Sequence, residues 1–218
     1  MIDGITLEAG AEGVAVLAAR RLIAVSSALV GGGVTAADAI LNVHVPKGAT
    51  VAEGEAALLA FARRAGVGPA YIGLLTSAAT EKAEAATAAH GPLTALAVAT
   101  VGLSNRITAG ASPASPAASH ATINVIVVVD GAAEPAALVN AVMTVTEVKT
   151  LALIEAGVQA QAGRPATGTS TDAVVIAVTG SGRRERFGGP VSEFGWVIAR
   201  AADTALRRGI ARWVAERV

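Results

Sequence analysis

Thr167, Thr169, Ser170, Thr171 and Asp172 crowd into residues 166–178, ATGTSTDAVVIAV, just ahead of a run of alanine, valine and isoleucine. Hydroxyls and a carboxylate at the mouth of an apolar strand are the groups of a reactive site or of an ordinary loop. Similar hydroxyls end other apolar runs: Ser26, Ser27, Thr76, Ser77 and Ser104, accompanied by Asn42, Asn105, Asn124 and Asn140. Taken singly, each hydroxyl is more often a turn or cap residue than a catalyst. Three ionisable groups stand near them, Glu147, Lys149 and Asp172. Lys149 interrupts an apolar helical stretch, as a surface lysine with a snorkelling stem or as a functional cation. Glu147 is two positions away, so the two side chains do not share a helix face.

Other chemistries find little support. The three histidines, His44, His90 and His120, do not pair at metal-ligand spacing with each other or with a carboxylate, so no metal site is expected. The triple glycine at residues 31–33 is not G-x-G-x-x-G, nothing matches the P-loop, and no G-x-S-x-G elbow occurs. Cysteine is absent, which removes thiolate nucleophiles and disulfides. Formal net charge is zero and aromatics make up 3%, so a nucleic-acid partner is not expected. No basic-then-apolar segment opens the chain, and the apolar runs INVIVVV and LTALAVATVGL are shorter than the ~20 residues of a membrane helix. The expectation is a soluble cytoplasmic protein without a membrane partner. A homodimer is the default for a soluble oligomer.

The elements that must position these groups follow from the apolar patterning. With 218 residues, 53% hydrophobic and 16% charged, the chain suits one core-rich domain spanning residues 1–218. GITLEAG, GVAVLAA and RLIAVSSALV read as three short strands, the last running into the glycine turn. TVAEGEAALLAFARRAG reads as a helix, with Thr50 and Glu53 at capping-box spacing and Gly66 as a stop. YIGLLTSA, LTALAVATVGLSN and TINVIVVVD read as strands, the last apolar on both faces apart from Asn124. Between them, residues 110–121 form a Pro/Ser/Ala loop, expected to be mobile. EPAALVNAVMTVTEVKTLALIEAG predicts the longest helix, with Pro135 in its first turn and Gly157 closing it. Asn140, Thr144 and Glu147 form a polar stripe along it. A further helix is expected from about residue 191 to 218. Strands and helices mix without strict alternation, which predicts an α+β or α/β fold with a mixed sheet packed by a few helices.

Taken in order, SSALVGGG, ILNVHVP, IGLLTSA, TVGLSN, TINVIVVVD, ALVNAVMTVTEVKTLALIEAGV and ATGTSTDAVVIAV resemble the adenosylcobinamide amidohydrolase family. The resemblance implies an intracellular hydrolase of a corrinoid amide, which detaches the aminopropanol arm of adenosylcobinamide and leaves adenosylcobyric acid for cobamide salvage. The corrinoid is then substrate, carrying its own cobalt, and no further cofactor is implied. Amide hydrolysis needs a nucleophile or activated water, an oxyanion stabiliser and an acid for the leaving amine. For that chemistry Glu147 or Asp172 is the expected base and Lys149 its cationic partner. Ser104, Asn105, Thr167 and Thr169 are the expected donors to the carbonyl or oxyanion. Ser26, Ser27, Asn42, Asn124 and Asn140 suit the carboxamides of the corrin edge, and Gly32 a close approach of the macrocycle. Two stretches depart from the family pattern. Val191 and Ser192 stand where a histidine and threonine are usual, and no acid follows the S-N motif near Ala111. The competing readings are a corrinoid-binding protein that does not cleave, and an amidohydrolase of another amide.

Overall fold

The computed structural model describes residues 2–114, 122–160 and 163–216. The elements run β1 (Ile5–Gly10), β2 (Gly13–Ser26), β3 (Gly33–His44), α1 (Val51–Arg64), β4 (Tyr71–Thr76), β5 (Glu84–His90), β6 (Leu93–Val101) and β7 (Arg106–Ile107). They continue with β8 (Ile123–Asp130), β9 (Ala132–Ala133), α2 (Pro135–Glu155), β10 (Gly168–Thr169), β11 (Ala173–Val178), β12 (Arg184–Glu185) and α3 (Glu193–Ala215). The main sheet has the order β4-β3-β2-β11-β8-β6-β5, with β1 added on β2. Its ladders are mixed: β3–β4 and β11–β8 are parallel, the rest antiparallel. The expected α+β class with a mixed sheet is therefore what the chain adopts.

This sheet is folded over on itself. In a flat sheet β3 and β8 would lie three strand spacings apart, roughly 14 Å. Yet Asn124 on β8 donates from Nδ2 to Asn42 Oδ1 on β3 at 2.8 Å. The bend lies in β2, which pairs with β1 over its first half and with β11 only over residues 23–26. A register shift between Leu17 and Leu22 in its pairing with β3 marks the bulge that turns the strand. Val14, Val16, Ile40, Ile72 and Leu74 from one half then meet Leu96, Val98, Ile126, Val128 and Val175 from the other in a single inner core. Outside, α1 covers Ala15, Leu41 and Val43, while α2 and α3 cover the β6, β8 and β11 side.

The bulge also corrects the sequence reading. Residues 13–30 are not two strands but one long bent strand and a following turn, because the break at residues 18–21 keeps its pairing with β3 on either side. β3 and β5 were not anticipated; β5, EAATAAH, carries no large apolar residue to signal a strand. α1 begins as expected, with Glu53 N donating to Thr50 Oγ1 at 3.3 Å and Thr50 N to Glu53 Oε2 at 2.7 Å. Gly66 follows at φ +65°, a conformation that L side chains rarely adopt.

α2 is, by length and composition alone, apolar enough to cross a membrane. In the folded chain it lies on the sheet, with Leu138, Ala141, Val145, Ala152 and Leu153 in the outer core. The polar stripe along it does not share one environment. Thr144 is buried and donates to Gly188 O at 2.9 Å, Asn140 is half-buried, and Glu147 is exposed. The loop carrying Gly188 covers one turn of that face and leaves the next to solvent. Of the expected loop, residues 110–112 close a tight turn, with Ala111 N and Ser112 N donating to Thr108 O. Residues 115–121, with His120, lie outside the described residues.

Candidate active site

The second half of α2 and the turn before β11 meet over Asp172. Its carboxylate accepts four hydrogen bonds. Oδ1 takes Ile123 N at 3.0 Å and the Thr169 hydroxyl; Oδ2 takes Thr169 N at 3.1 Å and the Lys149 ammonium. A carboxylate offers about four lone-pair sites, so the protein fills them all. The charge pair is sheltered: the Lys149 side chain is 8% exposed and that of Asp172 11%. Lys149 is therefore a buried cation, not a snorkelling surface lysine. At Gly168 an added Cβ would lie 2.9 Å from Lys149 Nζ and closer still to Asp172 Oδ2. Only glycine lets the backbone press so close to the pair.

One short ladder and two flanking hydrogen bonds place this turn. β10 pairs with β7, bringing Thr169 opposite Arg106. Thr167 N donates to Ile107 O at 2.9 Å, and Ala109 N donates to Thr167 Oγ1 at 2.9 Å. Arg106 clamps the preceding turn through donations to Leu103 O and Gln159 O. The S-N motif is thus carried next to the Thr/Asp segment, and Asn105 Nδ2 donates to Ser170 Oγ at 2.6 Å.

A polar chain runs from this cluster into the fold. Thr122 Oγ1 donates to Thr171 O at 2.7 Å and lies 3.2 Å from Asn124 Oδ1. Asn124 Nδ2 reaches Asn42 Oδ1 and Leu75 O, and Asn42 Nδ2 donates to Thr100 Oγ1 at 2.9 Å. Asn42, Thr100, Thr122 and Asn124 are all buried. Buried amides joined this way hold the two halves of the folded sheet in one register.

The structure thus gathers Lys149, Asp172, Thr169, Thr167, Ser104, Asn105, Asn124 and Asn42 into one region. Ser26 and Ser27 sit at its margin: Ser26 Oγ accepts Ala28 N at 2.8 Å, and Ser27 Oγ accepts Val174 N at 3.1 Å. Gly32 is exposed in the same turn, where a Cβ would meet Ala28 O at 2.6 Å. Glu147 and Asn140 stand apart. Both lie about half a helical turn round α2 from Lys149, and Asn140 Nδ2 faces Met143 Sδ at 3.9 Å. Sequence reasoning passed over Thr100, Thr122 and Gly168. Each lies inside a motif already singled out, but nothing in the spacing showed which members would touch. At the departures from the family pattern, Ser192 caps α3 by accepting Gly195 N at 3.0 Å, and Val191 is 95% exposed.

A cavity of about 230 Å³ opens beside the S-N motif, lined by Lys47, Ser77, Ser104, Arg212, Trp213 and Glu216 among others. Among the described residues, no group of three His, Asp or Glu side chains is placed to hold a metal ion.

A family model described as adenosylcobinamide amidohydrolase matches residues 3–217. A Methanosarcina mazei protein named adenosylcobinamide amidohydrolase is 32% identical over 197 residues, covering 86% of this chain and 89% of the relative. Among solved structures, the PH0078 protein from Pyrococcus horikoshii OT3 aligns over 96% of this chain and 79% of its own, at TM-score 0.47 and 13% identity. A Burkholderia beta-aminopeptidase aligns over 96% and 80%, at TM-score 0.45 and 13% identity. Both structural likenesses are distant.

Proposed function

The chain belongs to the adenosylcobinamide amidohydrolase family, and from that premise we propose that it hydrolyses the amide joining the aminopropanol arm to the corrin ring. The products are adenosylcobyric acid and free aminopropanol, the acid returning to cobamide synthesis. The observation that carries the site assignment is the Lys149–Asp172–Thr169 cluster at the A-T-G-T-S-T-D motif.

An attacking water would have to displace one of the four donors already on Asp172. The Thr169 hydroxyl needs no such exchange, because its proton already points at Oδ1. In this reading Asp172 takes that proton as Thr169 Oγ1 bonds to the amide carbonyl carbon. The C–N bond then breaks, the proton passes to the departing amine nitrogen, and an ester to Thr169 remains. Water hydrolyses the ester by the same route and restores the hydroxyl. Lys149 holds the carboxylate in place throughout, and its charge faces the oxyanion as Asp172 is neutralised. Ser104 and Asn105 provide hydrogen bonds to the carbonyl oxygen.

Incubating the protein with adenosylcobinamide tests the reading, with adenosylcobyric acid followed by chromatography and mass spectrometry. Product at a catalytic rate from wild type, and none above background from Thr169→Val, is the expected result. Substrate that binds but stays intact would make the chain a corrinoid-binding protein instead.

A further inference from the structure

The cavity beside the S-N motif holds features the cleavage chemistry does not use. Ser77 Oγ is buried on its wall and has no hydrogen-bond partner among the described residues. A buried hydroxyl left without a partner is destabilising, so it needs an account. The charges around it are mostly paired. Lys82 Nζ meets Glu216 Oε1 at 2.7 Å, and Arg212 donates to Glu84 and to the Lys82 carbonyl. Of the charges that line the cavity, only Lys47 is without an ion pair among the described residues.

These groups select among ligands. A phosphate, which only accepts, would face the Glu216 carboxylate on the same wall. An ammonium would face Lys47, Lys82 and Arg212. A primary carboxamide carries both two N–H donors and a carbonyl acceptor, matching Glu216 on one side and Lys47 or a serine hydroxyl on the other. About 230 Å³ accommodates a short amide-bearing arm and little more. Ser104 borders this cavity, and its neighbour Asn105 bonds Ser170 beside Thr169, so a corrinoid at the cluster would pass the cavity mouth.

We propose that this cavity is a specificity subsite for a peripheral carboxamide arm of the corrin, with Ser77 as the hydroxyl that bonds it after a turn about χ1. The proposal rests on the corrinoid reading of the neighbouring cluster. Ser77 is then a determinant of binding, not of bond cleavage.

Steady-state kinetics on adenosylcobinamide and calorimetric binding of adenosylcobyric acid, for wild type and Ser77→Ala, test it. The acid keeps the other peripheral amides and needs no turnover. Expected for Ser77→Ala are KM and Kd raised about five- to tenfold, the size of one lost hydrogen bond, with kcat at the wild-type value and a melting temperature no lower than wild type, because the lost hydroxyl had no partner in the free protein. Glu216→Gln, which keeps the shape of the wall, should raise KM in the same sense without lowering kcat. Ser77→Ala with unchanged KM and Kd, or with its loss in kcat alone, would overturn the subsite. Wild type that binds the acid but cleaves nothing overturns the hydrolase reading and leaves the subsite to the binding data. Wild type that binds neither corrinoid overturns both.

Discussion

Lys149 and Asp172, 23 positions apart in sequence, form a buried ion pair packed directly against the backbone of Gly168. Such a pair contributes less through its own attraction than through what its rupture leaves behind.

Removing one member strands the other's charge in a poorly solvated place, at a cost of about 3–5 kcal/mol. Lys149→Met should therefore unfold at clearly lower denaturant than wild type, and Lys149→Met combined with Asp172→Asn should recover part of the loss. Denaturant titration of the three chains decides it, and a double variant no better than the single one would count against a coupled pair.

Turnover should follow the hydroxyl at position 169. Thr169→Ser keeps the donor to Asp172 and is expected within about tenfold of wild type. Asp172→Asn should lose about 10²–10⁴-fold, the usual scale for a positioned base, and Thr169→Val, which lacks the nucleophile, should fall to background. A quenched single-turnover digest analysed by mass spectrometry should also show the corrinoid ester on Thr169. Wild-type rates from Thr169→Val would remove the hydroxyl from the mechanism.

Gly168→Ala introduces a methyl where Asp172 Oδ2 and Lys149 Nζ already sit. The pair must part or the β10–β7 ladder must shift. The expected outcome is a loss of turnover comparable to Asp172→Asn although no functional group was removed. Rates measured beside thermal melts would show it, and an active Gly168→Ala protein would mean the contact is soft.

Asn124→Leu deprives Asn42 Oδ1 and Leu75 O of their shared donor. Each buried group so abandoned costs about 1–3 kcal/mol. A destabilisation of at least about 2 kcal/mol in urea is expected; under half of that would mean the two sheet halves do not depend on this bond.

Glu147 points into solvent, so Glu147→Gln should leave both rate and stability near wild type, stability within about 0.5 kcal/mol. A large fall in turnover would restore it as a base and displace Asp172.

Much was legible in the chain itself. Thr50 and Glu53 announced the start of α1 because capping is local chemistry, decided within four residues. The apolar run after Asp172 could only be a buried strand, and the ordered motifs identified the family. Lys149 was ambiguous because helix periodicity tells which residues share a face, not which face meets the sheet. Glu147 and Asp172 stood as alternative bases for Lys149 to partner, and packing separated them: α2 turns Lys149 inward onto the Asp172 turn and leaves Glu147 outside.

The fold-over of the sheet was beyond the reach of any local pattern. Its agent is a bulge in β2, and its consequence is that Asn42 meets Asn124, 82 positions away. Residue types and short spacings fixed the elements, their caps and the stock of hydroxyls, amides and charges. Tertiary structure decided which of those groups touch, because contacts between distant strands depend on how the sheet bends and which surfaces its halves bury together. Burial then turned a lysine, a threonine and an aspartate from three ordinary polar residues into one charged, hydrogen-bonded unit.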